Sequence, residues 1–211
     1  MNEWSEHEAL VYVVDDDPAA RESLAFLLES LGYRVSAFAS AESWLEEEGD
    51  TAADELACVI LDVRMPGMSG LELQQELQRM NIGLPVIFIS GHSSVRVAVS
   101  ALRQGAFHFL EKPFDEQELI DQVNAALRQR RRRMDASTRQ RDVDEIMALL
   151  TAREGEVLER LERGDASKEI AAALDISPRT VETHRANILA KTGERSIHAL
   201  LARLSGSRRA T

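Results

Sequence analysis

The first ~127 residues alternate short apolar runs with amphipathic stretches, and this alternation constrains the fold more than any other feature. Leu10–Val14 is a continuous apolar run, which is typical of a parallel strand buried on both faces. Pro18 then occupies a favoured first position of a helix, in which leucines recur at the helical period until Gly32 ends it. These residues predict one β-α unit.

Four more such units follow along the chain. The remaining predicted strands are Tyr33–Phe38, Cys58–Leu61, Pro85–Ile89 and Ala106–Leu110. The predicted helices are Ala41–Glu48 with Ser40 as its cap, one capped by Ser69, Val95–Gln104, and one capped by Asp115. Five consecutive β-α units predict an α/β domain in which helices cover both faces of a doubly wound parallel sheet.

The composition, with 44% hydrophobic and 29% charged residues, is ordinary for a soluble globular protein. No apolar run reaches the ~18 residues of a membrane span. Residues 1–8 are acidic and lack the apolar centre of a signal peptide, so we expect a cytoplasmic protein without membrane contact. The single cysteine, Cys58, lies in a predicted strand and is interpreted as a buried small hydrophobe.

The net charge of −11 is distributed unevenly. Residues 1–127 carry a net charge of −16, whereas residues 128–211 carry +5. We therefore predict an acidic domain at 1–127, an Arg-rich linker at 128–146 and a basic domain at 147–211, which hints at nucleic-acid contact in the second half. The linker is expected to be solvated and either flexible or partly helical, and one alternative is a helix that runs straight out of the first domain. A continuous coiled coil is not supported, because the heptad pattern fails at Arg130.

Polar side chains that suit phosphoryl chemistry follow four of the predicted strands. Asp15 and Asp16 follow the first strand, Asp62 the third, Ser90 the fourth and Lys112 the fifth. The carboxyl ends of parallel strands meet at one edge of a sheet, where ligands bind, so we expect these residues to lie together. The first two, with Asp62, would hold Mg²⁺ or Mn²⁺ through oxygen ligands.

Within that arrangement Asp62 is the predicted nucleophile, because a carboxylate beside a cation can form an acyl phosphate. Lys112 and Ser90 would hold the phosphoryl oxygens. Asp17 precedes Pro18 and is interpreted as a helix cap, so it is left out of the metal set. A loose pair of aspartates after a strand is usually a turn, but four fitting strand ends favour a site.

The stretches Val13–Asp17, Leu61–Gly70, Ile89–His92 and Glu111–Phe114 resemble the response-regulator receiver domain, over residues ~9–128. The resemblance implies a flavodoxin-like fold and a phosphorylated aspartate at Asp62. It implies a metal site formed by the three aspartates and the backbone carbonyl of Arg64. It also implies that Phe109 joins Ser90 and Lys112 as a switch residue. Arg64 and His92 stand at the two positions that tune the lifetime of the phosphorylated state in this family.

The C-terminal region has no strand pattern and is expected to form four short helices: Ala152–Arg163, Ser167–Leu174, Pro178–Lys191 and Ser196–Leu204. The middle two, joined by a tight turn at Asp175-Ile176, have the layout of a helix-turn-helix. The second of them presents a polar set suited to phosphates and base edges: Arg179, Thr180, Thr183, His184, Arg185, Asn187 and Lys191. From these residues alone, a plain helical domain for protein contacts stays open.

Residues ~147–205 resemble the LuxR-type helix-turn-helix through Leu150–Leu158, Lys168–Ala171 and Ile176–Ile188. The resemblance adds Lys168 and Glu182 to the candidate DNA contacts. Many relatives carry a basic residue where this chain has Glu182, which can accept from cytosine N4 or avoid phosphates. The domain order and these motifs are most similar to the FixJ branch of the NarL/FixJ family.

The resemblance implies a two-component response regulator, not an enzyme. Its expected partners are a sensor histidine kinase, double-stranded promoter DNA, RNA polymerase and a second copy of itself after phosphorylation. Slow autodephosphorylation is compatible with this function. One rival is a phosphohydrolase of the haloacid dehalogenase type, which needs a second aspartate where this chain has Arg64. The other is a regulator that ignores phosphorylation and acts through protein contacts.

Overall fold

A computed structural model of the chain describes residues 9–91 and 95–208. The chain divides into two compact units, Met1–Met134 and Asp135–Thr211. The first unit is an α/β domain and the second contains helices. The first unit has an apolar core on each face of its sheet, and the second unit has one core of its own.

The first unit contains a five-stranded parallel sheet in the order β2-β1-β3-β4-β5. Its strands are β1 (Leu10–Val14), β2 (Arg34–Phe38), β3 (Ala57–Asp62), β4 (Val86–Ser90) and β5 (His108–Glu111). Its helices are α1 (Pro18–Ser30), α2 (Ala41–Glu48), α3 (Gly70–Arg79), α4 (Val95–Arg103) and the start of α5 (Glu116–Leu149), with a 3-10 turn at Ala52–Asp54. This is the flavodoxin-like order, and it confirms the predicted fold class.

The alternating side chains of the strands supply two apolar cores, one on each face of the sheet. Tyr12 and Phe88 lie in the core that also contains Trp44 of α2, and residues of α3 and α4 complete it. The ring of Tyr12 meets that of Trp44 edge to face, with centroids 5.4 Å apart and planes at 87°. On the other face, Val13 and the fully buried Cys58 pack against α1 and α5. Five helices therefore cover both faces, as predicted.

Local capping sets where the helices begin. Asp17 caps α1 by accepting from the Ala19 amide at 3.0 Å, which confirms its interpretation as a cap. Ser69 caps α3 and forms a reciprocal capping box with Glu72. Asp17 lies just after β1, and Ser69 lies in the segment between β3 and α3. Both caps therefore set the path of the chain where it leaves the sheet edge that carries the candidate site.

Helix α5 extends from Glu116 to Leu149, and every residue of the predicted 128–146 linker is helical. The Arg130 side chain, expected to interrupt the apolar pattern as a solvated residue, is only 5% exposed. Its guanidinium donates to the carbonyl oxygens of Glu55 at 3.0 Å, of Ala52 at 3.3 Å and of Ala53. The heptad pattern thus fails at Arg130 because this residue contacts the domain through hydrogen bonds instead of apolar packing. Helix α5 continues through this position.

The second unit packs four helices and the last turns of α5 around one core. The helices are α6 (Ala152–Glu162), α7 (Ser167–Leu174), α8 (Pro178–Thr192) and α9 (Ile197–Arg208). Asp175 ends α7 in the left-handed region with φ 53°, and Ser177 caps α8 directly afterwards. Val181 and Ile188 of α8 are fully buried, so the opposite side of α8 is left for its polar residues.

No helix in the two described ranges is long and apolar enough to cross a membrane.

Candidate functional site

Asp15 and Asp62 meet at the carboxyl edge of the sheet, with Lys112 between them. The Lys112 Nζ donates to Asp15 Oδ2 at 2.8 Å and to Asp62 Oδ1 at 3.3 Å. The side chains are 4% exposed for Asp15 and 11% for Asp62, and 29% for the lysine. Strand ends that are up to 97 residues apart in the chain are therefore joined by one ammonium group.

The environment of Asp62 raises the pKa of its carboxyl group above the ordinary value. Burial is the largest cause, and the nearby Asp15 charge acts in the same direction. The Arg64 amide, which donates to Asp62 Oδ2 at 2.7 Å, and the Lys112 ammonium oppose it. A poorly solvated carboxylate with few donors is a better nucleophile than a fully hydrated one.

Lys112 has a raised pKa as well. Burial disfavours its ammonium form, but the hydrogen bonds and charges of Asp15 and Asp62 outweigh burial. The side chain is therefore a fixed positive charge at neutral pH. The peptide bond from this lysine to Pro113 is cis.

Asp16 lies beside this pair but is exposed, and no hydrogen bond within the described residues engages its side chain. Within those residues no three acidic, histidine or cysteine side chains are grouped as metal ligands. Asp15, Asp16 and Asp62 still offer the hard oxygen donors, with room for water, that Mg²⁺ prefers. The residues therefore fit a divalent cation, which would compete with Lys112 for the carboxylates.

The switch candidates flank the site. Ser90, 2% exposed, ends β4, and its carbonyl accepts from the Lys112 amide at 2.9 Å. Phe109 is partly buried in β5, and its ring centroid lies 6.2 Å from that of Phe88. Arg64 is exposed just past Asp62. His92 falls outside the described residues.

Two further residues support the site and were not predicted. Arg21 of α1 donates through Nη1 to the Asp15 carbonyl at 2.6 Å. Glu42 of α2 accepts from the Met68 amide at 2.7 Å and so tethers the loop that follows β3. The second contact joins residues 26 apart in sequence. No sequence motif indicates either contact, because both depend on how the helices pack beside the sheet.

The candidate DNA contacts divide into four groups in the second unit. Arg179, Asn187 and Lys168 are exposed, and no ion pair within the described part of the chain engages the two cations. Thr180 bonds to the cap Ser177, and Thr183 bonds to the Arg179 carbonyl. His184 is partly buried, and no residue in the described ranges forms a hydrogen bond with its Nδ1.

The remaining three candidates are engaged with other side chains. Glu182 and Arg185 pair with each other on α8 at 3.1 Å. The Lys191 Nζ donates at 2.6 Å to Glu154, a buried residue of α6 that was not predicted to have a role. The structure therefore gives Lys191 an internal partner in addition to the DNA contact expected for it.

Both units match known families. Residues 11–124 match the response regulator receiver domain, and residues 148–203 match the bacterial regulatory proteins of the luxR family. The chain is 44% identical over 191 residues to the transcriptional regulatory protein FixJ of Azorhizobium caulinodans, covering 90% of this chain and 89% of that protein. It is 41% identical over 191 residues to the transcriptional regulatory protein TdiR of Thauera aromatica, covering 90% and 83%.

The solved structure of the response regulator StyR has a TM-score of 0.80 and 39% identity to this chain, covering 94% of this chain and 99% of that one. A receiver fold followed by a LuxR-type helix-turn-helix defines the class of DNA-binding response regulators of two-component systems. The chain belongs to the NarL/FixJ family of these regulators, and the similarity to FixJ confirms the predicted branch. Receivers of this family generally bind Mg²⁺ at their acidic edge.

Proposed function

We propose that Asp62 accepts a phosphoryl group from the phosphohistidine of a sensor kinase. A carboxylate oxygen of Asp62 attacks phosphorus, a P–O bond forms, and the P–N bond breaks as the imidazole leaves. The observation that carries this proposal is the junction of Asp15, Asp62 and Lys112 at the carboxyl edge of the sheet. A partly buried lysine beside the nucleophile can bind the phosphoryl oxygens and offset their added charge.

Asp15, Asp16, Asp62 and the Arg64 carbonyl would hold Mg²⁺ or Mn²⁺. When bound, the cation supplies positive charge to the oxygens of the transferring group. Lys112 would exchange a carboxylate partner for a phosphoryl oxygen. Ser90, buried at the end of β4, would accommodate the phosphoryl group together with this lysine. Arg64 and His92 would limit the access of water and so set the lifetime of the acyl phosphate.

The phosphorylated receiver would then act on the DNA-binding unit. Ser90 and Phe109 would move inward and alter the surface of α4 and β5, on which Val95 and Val99 are exposed by 82% and 42%. An exposed apolar surface of this kind favours a homodimer. Two copies of α8 could then read adjacent half-sites of promoter DNA, with recruitment or exclusion of RNA polymerase as the outcome.

Labelling with acetyl phosphate tests the phosphoryl-transfer step. With Mg²⁺ present, the wild type and the control Asp50→Asn, a change at an exposed aspartate outside the site, should each gain one phosphoryl group by intact mass. Asp62→Asn should gain none, because it lacks the nucleophilic oxygen. Equal labelling of Asp62→Asn would refute this assignment.

The same reaction distinguishes a regulator from an enzyme. Because position 64 is an exposed arginine, no second acid is present there to protonate a leaving group. We expect no rapid turnover of small phosphomonoesters, and the acyl phosphate should persist long enough to be measured. Multiple turnovers within the labelling period would instead support a phosphohydrolase.

A further inference from the structure

Three side chains form a closed network between the first helix of the helix-turn-helix and the recognition helix. Ser167, the first residue of α7, donates through Oγ to Glu182 Oε1 at 2.6 Å. The Arg185 Nη1 donates both to the Ser167 Oγ at 2.9 Å and to the same Glu182 oxygen at 3.1 Å. The network therefore fixes a carboxylate on α8 by contacts from two different helices.

The two oxygens of Glu182 differ in their partners. Oε1 accepts two hydrogen bonds, whereas no donor within the described residues reaches Oε2. The side chain is 58% exposed, so Oε2 is accessible to a donor from outside the chain. A carboxylate whose one oxygen is anchored and whose other is free is an acceptor held ready for a ligand, with little rotamer entropy left to lose.

The chemistry of this position selects one base. In the major groove, amino donors come from cytosine N4 and adenine N6, whereas guanine and thymine offer acceptors that repel a carboxylate. In adenine the N7 acceptor lies next to the N6 amino group. A carboxylate oxygen there would be attracted by the amino group and repelled by N7. Cytosine has no acceptor on that side of its amino group. The best fit to Glu182 Oε2 is a cytosine N4 amino group.

We propose that Glu182 reads one cytosine in each half-site and that Ser167 and Arg185 are positioning residues for it. The proposal rests on the proposed function only in that α8 must enter the major groove. It gives Arg185 a role other than a phosphate contact, because its guanidinium holds the Glu182 carboxylate in place. It also gives a role to Ser167, which no motif indicates.

A glutamine at position 182 would change the base that is read. Its carbonyl oxygen would keep the anchor to Ser167 and Arg185, and its amide nitrogen would then take the place of Oε2. The free atom would be a donor instead of an acceptor. Glu182→Gln should therefore replace the cytosine preference by a preference for a base with an acceptor. It should also bind random DNA more tightly, because a negative charge near the phosphates is removed.

The test is selection of binding sites from a random duplex pool by full-length protein phosphorylated with acetyl phosphate. The wild type and Glu156→Gln should select the same site, with cytosine at one fixed position in each half. Glu156 is a matched control, since it pairs with an arginine three residues away and is 50% exposed. Glu182→Gln should change that position alone, and Ser167→Ala should weaken the preference there while keeping the others.

A base analogue gives a second measurement on the unmodified protein. Replacing the selected cytosine by 2-pyrimidinone removes only the amino group. The wild type should lose about 10- to 100-fold in affinity, the scale of one hydrogen bond to a charged group. Glu182→Gln should lose nothing further. Because the loss of affinity is measured on the wild type, it tests for a contact to the cytosine amino group even if a variant fails to fold.

The possible failures are distinguishable. A wild type that selects no sequence at all would overturn DNA reading by α8. A wild type that selects a site, with Glu182→Gln selecting the same bases or the analogue binding equally well, would overturn the role of Glu182 alone. Full discrimination by Ser167→Ala would show that the network does not position the carboxylate.

Discussion

Glu154 is a buried carboxylate of the DNA-binding unit with an ammonium partner. It is 3% exposed and accepts from the Lys191 ammonium at 2.6 Å and from the Thr151 amide at 2.8 Å. The hydrogen bond from Lys191 is the largest cause of a pKa lowered to about 2. The folded state therefore holds a carboxylate that the unfolded chain would protonate at higher pH. Its stabilising effect is complete above the ordinary pKa of 4.5 and is lost as the pH falls toward about 2.

Replacing Glu154 should show this dependence of stability on pH. Glu154→Gln should lower the free energy of unfolding at pH 7 by about 1–3 kcal/mol, the cost of leaving charged hydrogen-bond partners unmatched. Chemical denaturation followed by circular dichroism at several pH values would measure it. The difference from wild type should shrink as the pH falls from 4.5 toward about 2.

The control for Glu154→Gln is Glu159→Gln, whose side chain is 63% exposed and pairs with Arg163 on the surface. Such pairs contribute about 0–1 kcal/mol, so this variant should match the wild type closely. If the two variants lost equal stability, or if the Glu154→Gln difference did not depend on pH, the ion pair with Lys191 would not be the source of the stabilisation.

At the scale of elements, the long helix α5 carries one buried polar residue, Arg130, that joins it to another segment of the first unit. Arg130 satisfies three carbonyl oxygens of the segment 52–55 through its guanidinium. Burial is the largest cause of a lowered pKa of this arginine, and among the described residues no carboxylate forms a hydrogen bond with it. The group is held by backbone dipoles, so its removal leaves several buried acceptors without a donor.

We expect Arg130→Met to preserve the apolar stem but destabilise the first unit by about 1–3 kcal/mol. Hydrogen exchange should speed up in the segment 51–55 and in α5 near position 130. Arg132→Met, at an exposed position of the same helix, is the matched control and should leave exchange unchanged. Unaltered exchange in Arg130→Met would mean that apolar packing alone holds the helix against the domain.

Helices with a clear apolar period were predictable from sequence. The predicted bounds of α2 and α7 equal those observed, and α3 begins directly after its predicted cap Ser69. Strand β5 starts two residues later than predicted, at His108, where its register with β4 begins, although the amide of the preceding Phe107 already donates to the Val86 carbonyl at 2.8 Å. The length of α5 was not predictable, since arginine at position 130 looks the same in sequence whether solvated or bonded to carbonyls.

The residues of the candidate site were also predictable only in part. Side chains that follow strands were predictable, because parallel strands necessarily bring their carboxyl ends to one edge, and Asp15, Asp62 and Lys112 do meet there. Contacts that cross between helices were not. Glu154 and Lys191 are 37 residues apart, and Ser167 and Glu182 are 15 apart. Their meeting depends on helix packing that no local pattern encodes.

At the scale of the whole molecule, an acidic region and a basic region share one chain. Residues 1–127 carry a net charge of −16 and residues 128–211 carry +5. Negative charge in the same molecule lowers the local potential that attracts DNA to the basic part. This charge difference predicts that the receiver reduces DNA affinity in the unphosphorylated protein.

We expect the fragment 128–211, which carries the +5 charge, to bind a DNA duplex about tenfold more tightly than the unphosphorylated full chain at low salt. The difference should disappear near 1 M salt, where the Debye length is about 3 Å. Titration of a fluorescent duplex at several salt concentrations would measure both. Equal affinity of fragment and full chain at low salt would exclude electrostatic masking.

The single thiol has a practical consequence. Cys58 is fully buried in β3, and burial raises its pKa to about 12, so it is neither accessible nor ionised at neutral pH. A cysteine introduced at an exposed position would be the one thiol that maleimide reagents modify in the native protein. Spin labels or fluorophores could therefore be attached at chosen sites without first removing the natural cysteine, and the movements that follow phosphorylation could be tracked in the otherwise unaltered chain.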